Sequence, residues 1–185
     1  VVLCGICGSD LSYAKFGGLP GAASPMAIGH EFSGVIREVG AEVKNVRVGD
    51  RVVVNPDSSK NKIGSNGLIG AFAPYVAVAD VVNDPDAIVP LPEALSFEQG
   101  AMVEPLSVAM HGINRCNLNV EDKLVIMGAG PIGLGAGIVA KYYGVKDIVI
   151  VDLSEKRLTV AEELGLTPFK ADEGDLADFL IKHHG

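Results

Sequence analysis

The chain has 185 residues, 48% of them apolar, enough for one ordinary domain or two small ones. Its formal net charge of −8 argues against nucleic acid, whose phosphates demand a basic surface. The three cysteines, Cys4, Cys7 and Cys116, are too sparse for a disulfide framework and fit a reducing, cytoplasmic setting.

Val1 to Ile6 reads as a short apolar strand that ends in a turn at Cys7-Gly8-Ser9-Asp10, without the basic lead or cleavage site of a signal peptide. Residues 14–29 read as a loop rich in Gly, Pro and Ala. Phe32 to Val39 alternates as a strand, Gly49-Asp50 is a turn, and a further strand runs from Arg51 to Val54. Residues 55–70 are a polar, Gly-rich surface loop, and Ala71 to Ala79 is predicted as another strand. Short strands punctuated by Gly and Pro imply an all-β unit.

After Ser96 the texture changes. Phe97 to Cys116 is predicted as one helix. A strand from Leu124 to Met127 leads into a helix from Pro131 to Tyr143, a strand from Asp147 to Val151 into a helix from Glu155 to Leu164. A weak strand, Thr167 to Ala171, and a helix from Leu176 to His183 close the series. Strand and helix in alternation imply a parallel sheet with crossover helices. The junction is predicted near Pro105, giving an all-β domain over 1–105 and an α/β domain over 106–185. Leu124 to Ala140 is uncharged but short of the roughly 20 residues a bilayer needs, and its six Gly and Pro residues argue against a membrane span. The chain opens inside an apolar strand without Met and stops just after a predicted helix, so both ends are expected to be cuts.

Gly128-Ala129-Gly130-Pro131-Ile132-Gly133 fits the G-x-G-x-x-G pattern, and here it follows a strand and opens a helix. The first Gly allows a tight turn, the second a close approach of backbone to a pyrophosphate, the third close packing of helix on strand. Free N–H groups at the helix start face the phosphates, and Pro131 suits the first turn because its missing N–H costs nothing there. Asp152 ends the second strand, where a carboxylate accepts both ribose hydroxyls of NAD and repels the 2′-phosphate of NADP. Arg157, a helical turn onward, softens that preference. The plainer reading is a βαβ packing turn with Asp152 capping the next helix.

In the front half, Cys7, His30 and Glu104 are candidate metal ligands. Each also has a blander reading: a small buried hydrophobe, a satisfied core histidine, an exposed helix residue. Glu104 is the most telling, because it lies in the apolar run Ala101-Met102-Val103-Glu104-Pro105-Leu106, and a buried carboxylate needs a partner. Glu31, beside His30, raises the same question. One Cys, one His and one carboxylate with an open fourth position describe a catalytic zinc site, and mixed S, N and O donors suit zinc better than magnesium or calcium.

The motifs Gly5-Ile6-Cys7-Gly8-Ser9-Asp10, Gly29-His30-Glu31-Phe32-Ser33-Gly34, Gly49-Asp50-Arg51-Val52, Val103-Glu104-Pro105-Leu106 and Gly128 to Gly133 occur in that order. Together they resemble the zinc-dependent medium-chain alcohol dehydrogenases, in particular the sorbitol and polyol dehydrogenase branch. The resemblance implies a GroES-like β domain followed by the first half of a Rossmann doubly wound parallel sheet. It implies that Cys7 and His30 bind the catalytic zinc and that Glu104 binds it directly or through water. Glu31 then stands as the carboxylate behind the histidine, and Ser9 hands the substrate proton onward. It further implies NAD, a secondary alcohol on a polyol, sugar or sugar acid as substrate, and a homo-oligomer; neither nucleic acid nor membrane is an expected partner.

Two departures from the family pattern stand out. Asn55 to Pro74 has none of the four cysteines that hold a structural zinc in many relatives, so one zinc per chain is expected. Ser12 and Tyr13 stand where some members carry a relay His. The zinc-free quinone and enoyl reductases share the scaffold but not the trio Cys7, His30 and Glu104. A non-catalytic fragment is the third reading: with only three parallel strands, the chain by itself is expected to be inactive and aggregation-prone, its parent about twice as long. The loop from Tyr13 to Pro25 is expected to shape the substrate pocket.

Overall fold

A computed structural model describes residues 1–18, 20–21, 26–58 and 60–184, and the side chains of all of these except His184. The chain divides into two units, Val1–Glu104 and Pro105–Gly185. In the first, strands β1 (Leu3–Cys4), β2 (Phe32–Val35), β3 (Arg51–Val54) and β4 (Ile88–Pro90) form one antiparallel sheet in that order. Ser33 pairs with Val53 and Val53 with Val89, so one face of the sheet carries that row and the other carries Phe32, Val52, Val54 and Ile88. The second set packs with Val46, Ile63, Ala71 and Val81 into the core of this unit, in keeping with the period-2 geometry of strands.

Helices α1 (Gly8–Phe16) and α2 (Phe97–Ala101) complete this unit. The stretch Gly8–Phe16, expected as part of a turn at residues 7–10 and of a loop from residue 14, is therefore a helix. It escapes a periodicity search because it buries no apolar stripe: Asp10 is its buried residue, while Leu11 and Phe16 are 66% and 74% exposed. Gly17, at φ 77°, ends it in the left-handed conformation that favours glycine.

The expected strand Ala71 to Ala79 has no ladder partner among the described residues. Its burial still alternates: Val76 and Val78 lean on the core while Tyr75, Ala77 and Ala79 are exposed. The predicted strand Phe32 to Val39 stops at Val35, and β4, only three residues between prolines, went unpredicted. The single helix expected from Phe97 to Cys116 is two, α2 and α3 (Val103–Cys116), broken at Met102. Pro105 lacks the N–H that would bond to the carbonyl of Ala101, so a continuous helix is not available there.

The second unit is a three-stranded parallel sheet in the order β5 (Lys123–Met127), β6 (Asp147–Asp152), β7 (Thr167–Lys170). Helices α4 (Pro131–Tyr142), α5 (Glu155–Glu163) and α6 (Leu176–His184) follow the strands in turn. Strand β6 is buried along Ile148–Val151, and its core includes Val139, Ala140, Leu158, Ala161 and Leu166. Strand β5, an apolar run, lies at the open edge of this sheet, with Met127 71% exposed. No helix among the described residues is long and apolar enough to cross a membrane.

Candidate metal centre and cofactor cradle

Cys7 is the residue before α1, and His30 and Glu31 immediately precede β2. One ligand atom from each of Cys7, His30 and Glu31 lies within 4.8 Å of the others. Glu31 was expected behind His30 rather than beside it. Neighbours in a strand point to opposite faces, but β2 begins only at Phe32 and Gly29 has φ 90°, so the chain through His30 and Glu31 is not yet a strand. At Gly29 a Cβ would stand 2.7 Å from the backbone nitrogen of Phe72, so this close approach needs glycine. The bonds from Ala71 N to Gly29 O, 2.8 Å, and from Phe72 N to Ile28 O, 3.3 Å, fix the loop that presents the histidine.

The residue that sequence reasoning passed over is Asp10. Its side chain is 2% exposed. Oδ2 accepts from the backbone N–H of Cys7 at 2.9 Å and Oδ1 from that of Gly29 at 2.9 Å, so one carboxylate ties together the two segments that carry sulfur and imidazole. His30 Nδ1 faces Asp10 Oδ1 at 3.6 Å, too long for a hydrogen bond, and is buried without a partner among the described residues. A signal was present: an acid three residues into a helix commonly accepts from the N–H of the residue before that helix. Reading Cys7 to Asp10 as a turn hid it.

Glu104, near the start of α3, is outside the trio but close enough to feel it. Burial raises its carboxyl pKa, His30 pulls it back down, and Glu31 pushes it up again. Cys4 is pushed up to about 11, chiefly by burial and then by the negative charge of Asp10, so it stays a neutral thiol beside the core. Ser9 lies partly buried in the first turn of α1, two residues beyond Cys7. Ser12 Oγ donates to the carbonyl of Gly8 at 3.2 Å. Of the loop expected to shape the pocket, residues 19 and 22–25 lie outside the described residues.

In the second unit the glycine loop follows β5 and opens α4. Gly128 has φ 105° and its N–H donates to Val151 O at 2.7 Å, Gly130 precedes the helix, and Pro131 is its first residue. Ile132 and Gly133 complete the first turn, where backbone N–H groups lack helical partners. A Cβ on Gly133 would collide with the carbonyl oxygen of Gly128, so helix and loop meet here only through glycine.

Asp152 ends β6. Its Oδ2 accepts from Ala129 N at 2.8 Å and its Oδ1 from Ser154 N at 2.7 Å. Those bonds, with Arg157 Nη1 3.6 Å from Oδ2, hold its carboxyl below the usual range. It thus braces the glycine loop. The residue before α5 is Ser154, not Asp152.

Residues 1–93 match the alcohol dehydrogenase GroES-like domain. The chain is 38% identical to sorbitol dehydrogenase 2 of Saccharomyces cerevisiae, over 96% of this chain and 56% of that protein. It matches the crystal structure of 2R,3R-butanediol dehydrogenase from Bacillus subtilis with a TM-score of 0.84 and 36% identity, over 98% of this chain and 58% of that one. It matches the Escherichia coli CFT073 short chain alcohol dehydrogenase complexed with NADH with a TM-score of 0.83 and 29% identity, over 98% and 57%. The chain therefore spans little more than half the length of these relatives. Its antiparallel sheet is the GroES-like part and its three parallel strands a Rossmann-like half. With that domain matched over half of its residues, the chain belongs to the alcohol dehydrogenase family defined by the GroES-like fold.

Proposed function

We propose that this chain carries the zinc centre and the NAD cradle of a dehydrogenase that oxidises secondary alcohols of the polyol type. The observation that carries this reading is the convergence of Cys7, His30 and Glu31 within 4.8 Å. Sulfur, imidazole and carboxylate together are a zinc donor set. With Nδ1 of His30 buried 3.6 Å from Asp10 Oδ1, Nε2 is the nitrogen left for the cation. A bound zinc supplies Lewis-acid polarisation of an alcohol oxygen. In this reading Glu31 is the third donor. Glu104 is a reserve oxygen donor whose charge, costly when buried alone, the cation would offset. Ser9 takes the hydroxyl proton and passes it on. One zinc per chain follows from a lobe, Asn55 to Pro74, without cysteine.

For the cofactor, the first-turn N–H groups of α4 suit a pyrophosphate and the ionised Asp152 suits a ribose diol, which favours NAD over NADP. One solved relative is complexed with NADH and another is bound to NADP, so the choice between them rests on Asp152. The relatives named for sorbitol and butanediol support the substrate class. Free cysteines, including the exposed Cys116, support a reducing cytoplasm.

The test is metal analysis of the purified chain and of Cys7→Ala, joined to polyol turnover with NAD and NADP in a form extended to the relatives' length. One equivalent of zinc is expected in the wild type, with a loss for the variant larger than the ~10–100-fold that a supporting residue is worth. A Cys7→Ala protein that keeps both zinc and turnover would remove the basis of the reading.

A further inference from the structure

Arg51 opens β3, and its guanidinium reaches three carbonyls of the segment between β4 and α2. Nη1 donates to Pro92 O at 3.1 Å and Glu93 O at 3.2 Å, and Nη2 donates to Leu95 O at 2.6 Å. Its Cζ lies 4.5 Å over the ring of Phe97, the first residue of α2. A five-residue helix cannot sustain itself and takes its position from what it docks against. Phe97 is gripped twice, its ring by Arg51 and its carbonyl by Ser33 Oγ at 2.7 Å. Gly100 completes the dock: a Cβ there would stand 2.9 Å from that of Ser33. Ser33 is three residues from His30 on the strand that follows it, and Glu104 is four residues beyond Gly100, just past the break at Met102.

We propose that Arg51 is a positioning residue for the metal centre. By pinning residues 92–97 it sets where the α2–α3 break presents Glu104 to Cys7, His30 and Glu31. This rests on the zinc reading above. The chemistry asks for arginine: a planar fork serves several carbonyls and stacks on a ring, whereas lysine offers a single point charge. Arg51→Lys therefore separates two effects. It keeps the positive charge and its long-range field but gives up the fork.

The test is titration of the full chain with Co²⁺, whose spectrum reports ligand geometry, in wild type, Arg51→Lys, Glu104→Gln and the double variant. Arg51→Lys is expected to weaken Co²⁺ binding about tenfold, as supporting residues of metal sites do, and to shift the d–d bands while the sulfur-to-cobalt band of Cys7 persists. In the Glu104→Gln background the same change is expected to cost no more than about twofold, the scatter of additive effects. Phe97→Leu, which loses the stack but keeps the carbonyl bonds, should give a smaller loss with the same dependence on Glu104. Equal losses in both backgrounds, or none in either, would overturn the proposal while leaving the metal centre intact. A wild type that takes up no Co²⁺ would instead overturn the zinc reading, and the proposal with it.

Discussion

The two units use opposite means to build a site. In the second, chemistry is presented by the main chain: a glycine loop between β5 and α4, amides at a helix start, and one carboxylate, Asp152, that braces the loop through Ala129. In the first, side chains do the work, and they come from segments as distant in sequence as Cys7 and Glu104. What ties the Cys7 and His30 segments together is one buried acid, Asp10, bonded to the N–H of Cys7 and the N–H of Gly29. A backbone site depends on the absence of side chains, and a side-chain site depends on the residues that anchor it.

Replacing Asp10 by Ala should give the largest effect. Two N–H groups lose their acceptor, one of them in a bond buried from solvent, at about 1–3 kcal/mol each. A stability loss of about 2–6 kcal/mol by urea denaturation is expected, together with loss of zinc uptake, although Asp10 itself is not among the proposed ligands. A loss within the roughly 0.5 kcal/mol typical of surface changes would mean that the sheet, not Asp10, positions Cys7 and His30.

The counterpart in the second unit is Gly133→Ala. Here an added methyl would collide with the carbonyl oxygen of Gly128, and backbone has less room to yield than a flexible side chain. Overpacking of this kind costs about 1–3 kcal/mol. Affinity for NADH, followed by fluorescence, should fall with stability, because the helix start must move away from the loop. Gly130→Ala sharpens the contrast, since a Cβ there meets nothing within 4 Å. Its effect should fall on binding alone, where the backbone must come close to a pyrophosphate. Equal destabilisation by both changes would sink the packing argument.

The same contrast explains what could be read from the sequence. The second unit was legible nearly throughout because its signals are local: apolar strand, glycine turn, helix, then an acid at the next strand end. Its three strands and the helices α4, α5 and α6 match their predicted ranges to within a residue or so. In the first unit the ligand-bearing motifs were legible as chemistry but not as geometry. Helix α1 was hidden because it buries Asp10 rather than an apolar face, and with it the tie between Cys7 and Gly29. Residues 71–79 had the right alternation for a strand, but a ladder needs a neighbour, which a single segment cannot disclose. Glu31 was placed behind His30 by the resemblance alone, whereas one of its oxygens lies within 4.8 Å of the ligand atoms of Cys7 and His30, a convergence that sequence spacing cannot disclose. Glu104 announced itself as a carboxylate in an apolar run, and the structure leaves it half buried, where burial and then Glu31 outweigh the pull of His30 and raise its pKa.

Glu104→Gln should give the smallest effect and the one most specific to a side-chain site. Without a cation, burial raises the Glu104 pKa above its unfolded value, and Glu31 adds to the rise. The folded chain then holds that proton more tightly than the unfolded chain. Stability from this group is full below the ordinary carboxyl range and is lost as pH rises through the raised value. The amide of the variant cannot ionise, so without zinc the variant should match the wild type in acid and exceed it near neutrality, by less than about 1 kcal/mol since the carboxyl is only half buried. Added zinc should reverse the order, because the wild-type carboxylate gains a partner that the amide cannot replace. Urea midpoints across an acid-to-neutral series, with and without zinc, test both signs. A difference that is the same at every pH would mean that shape, not charge, separates the two side chains. Reversal only in the presence of zinc would tie that charge to the cation shared by Cys7, His30 and Glu31.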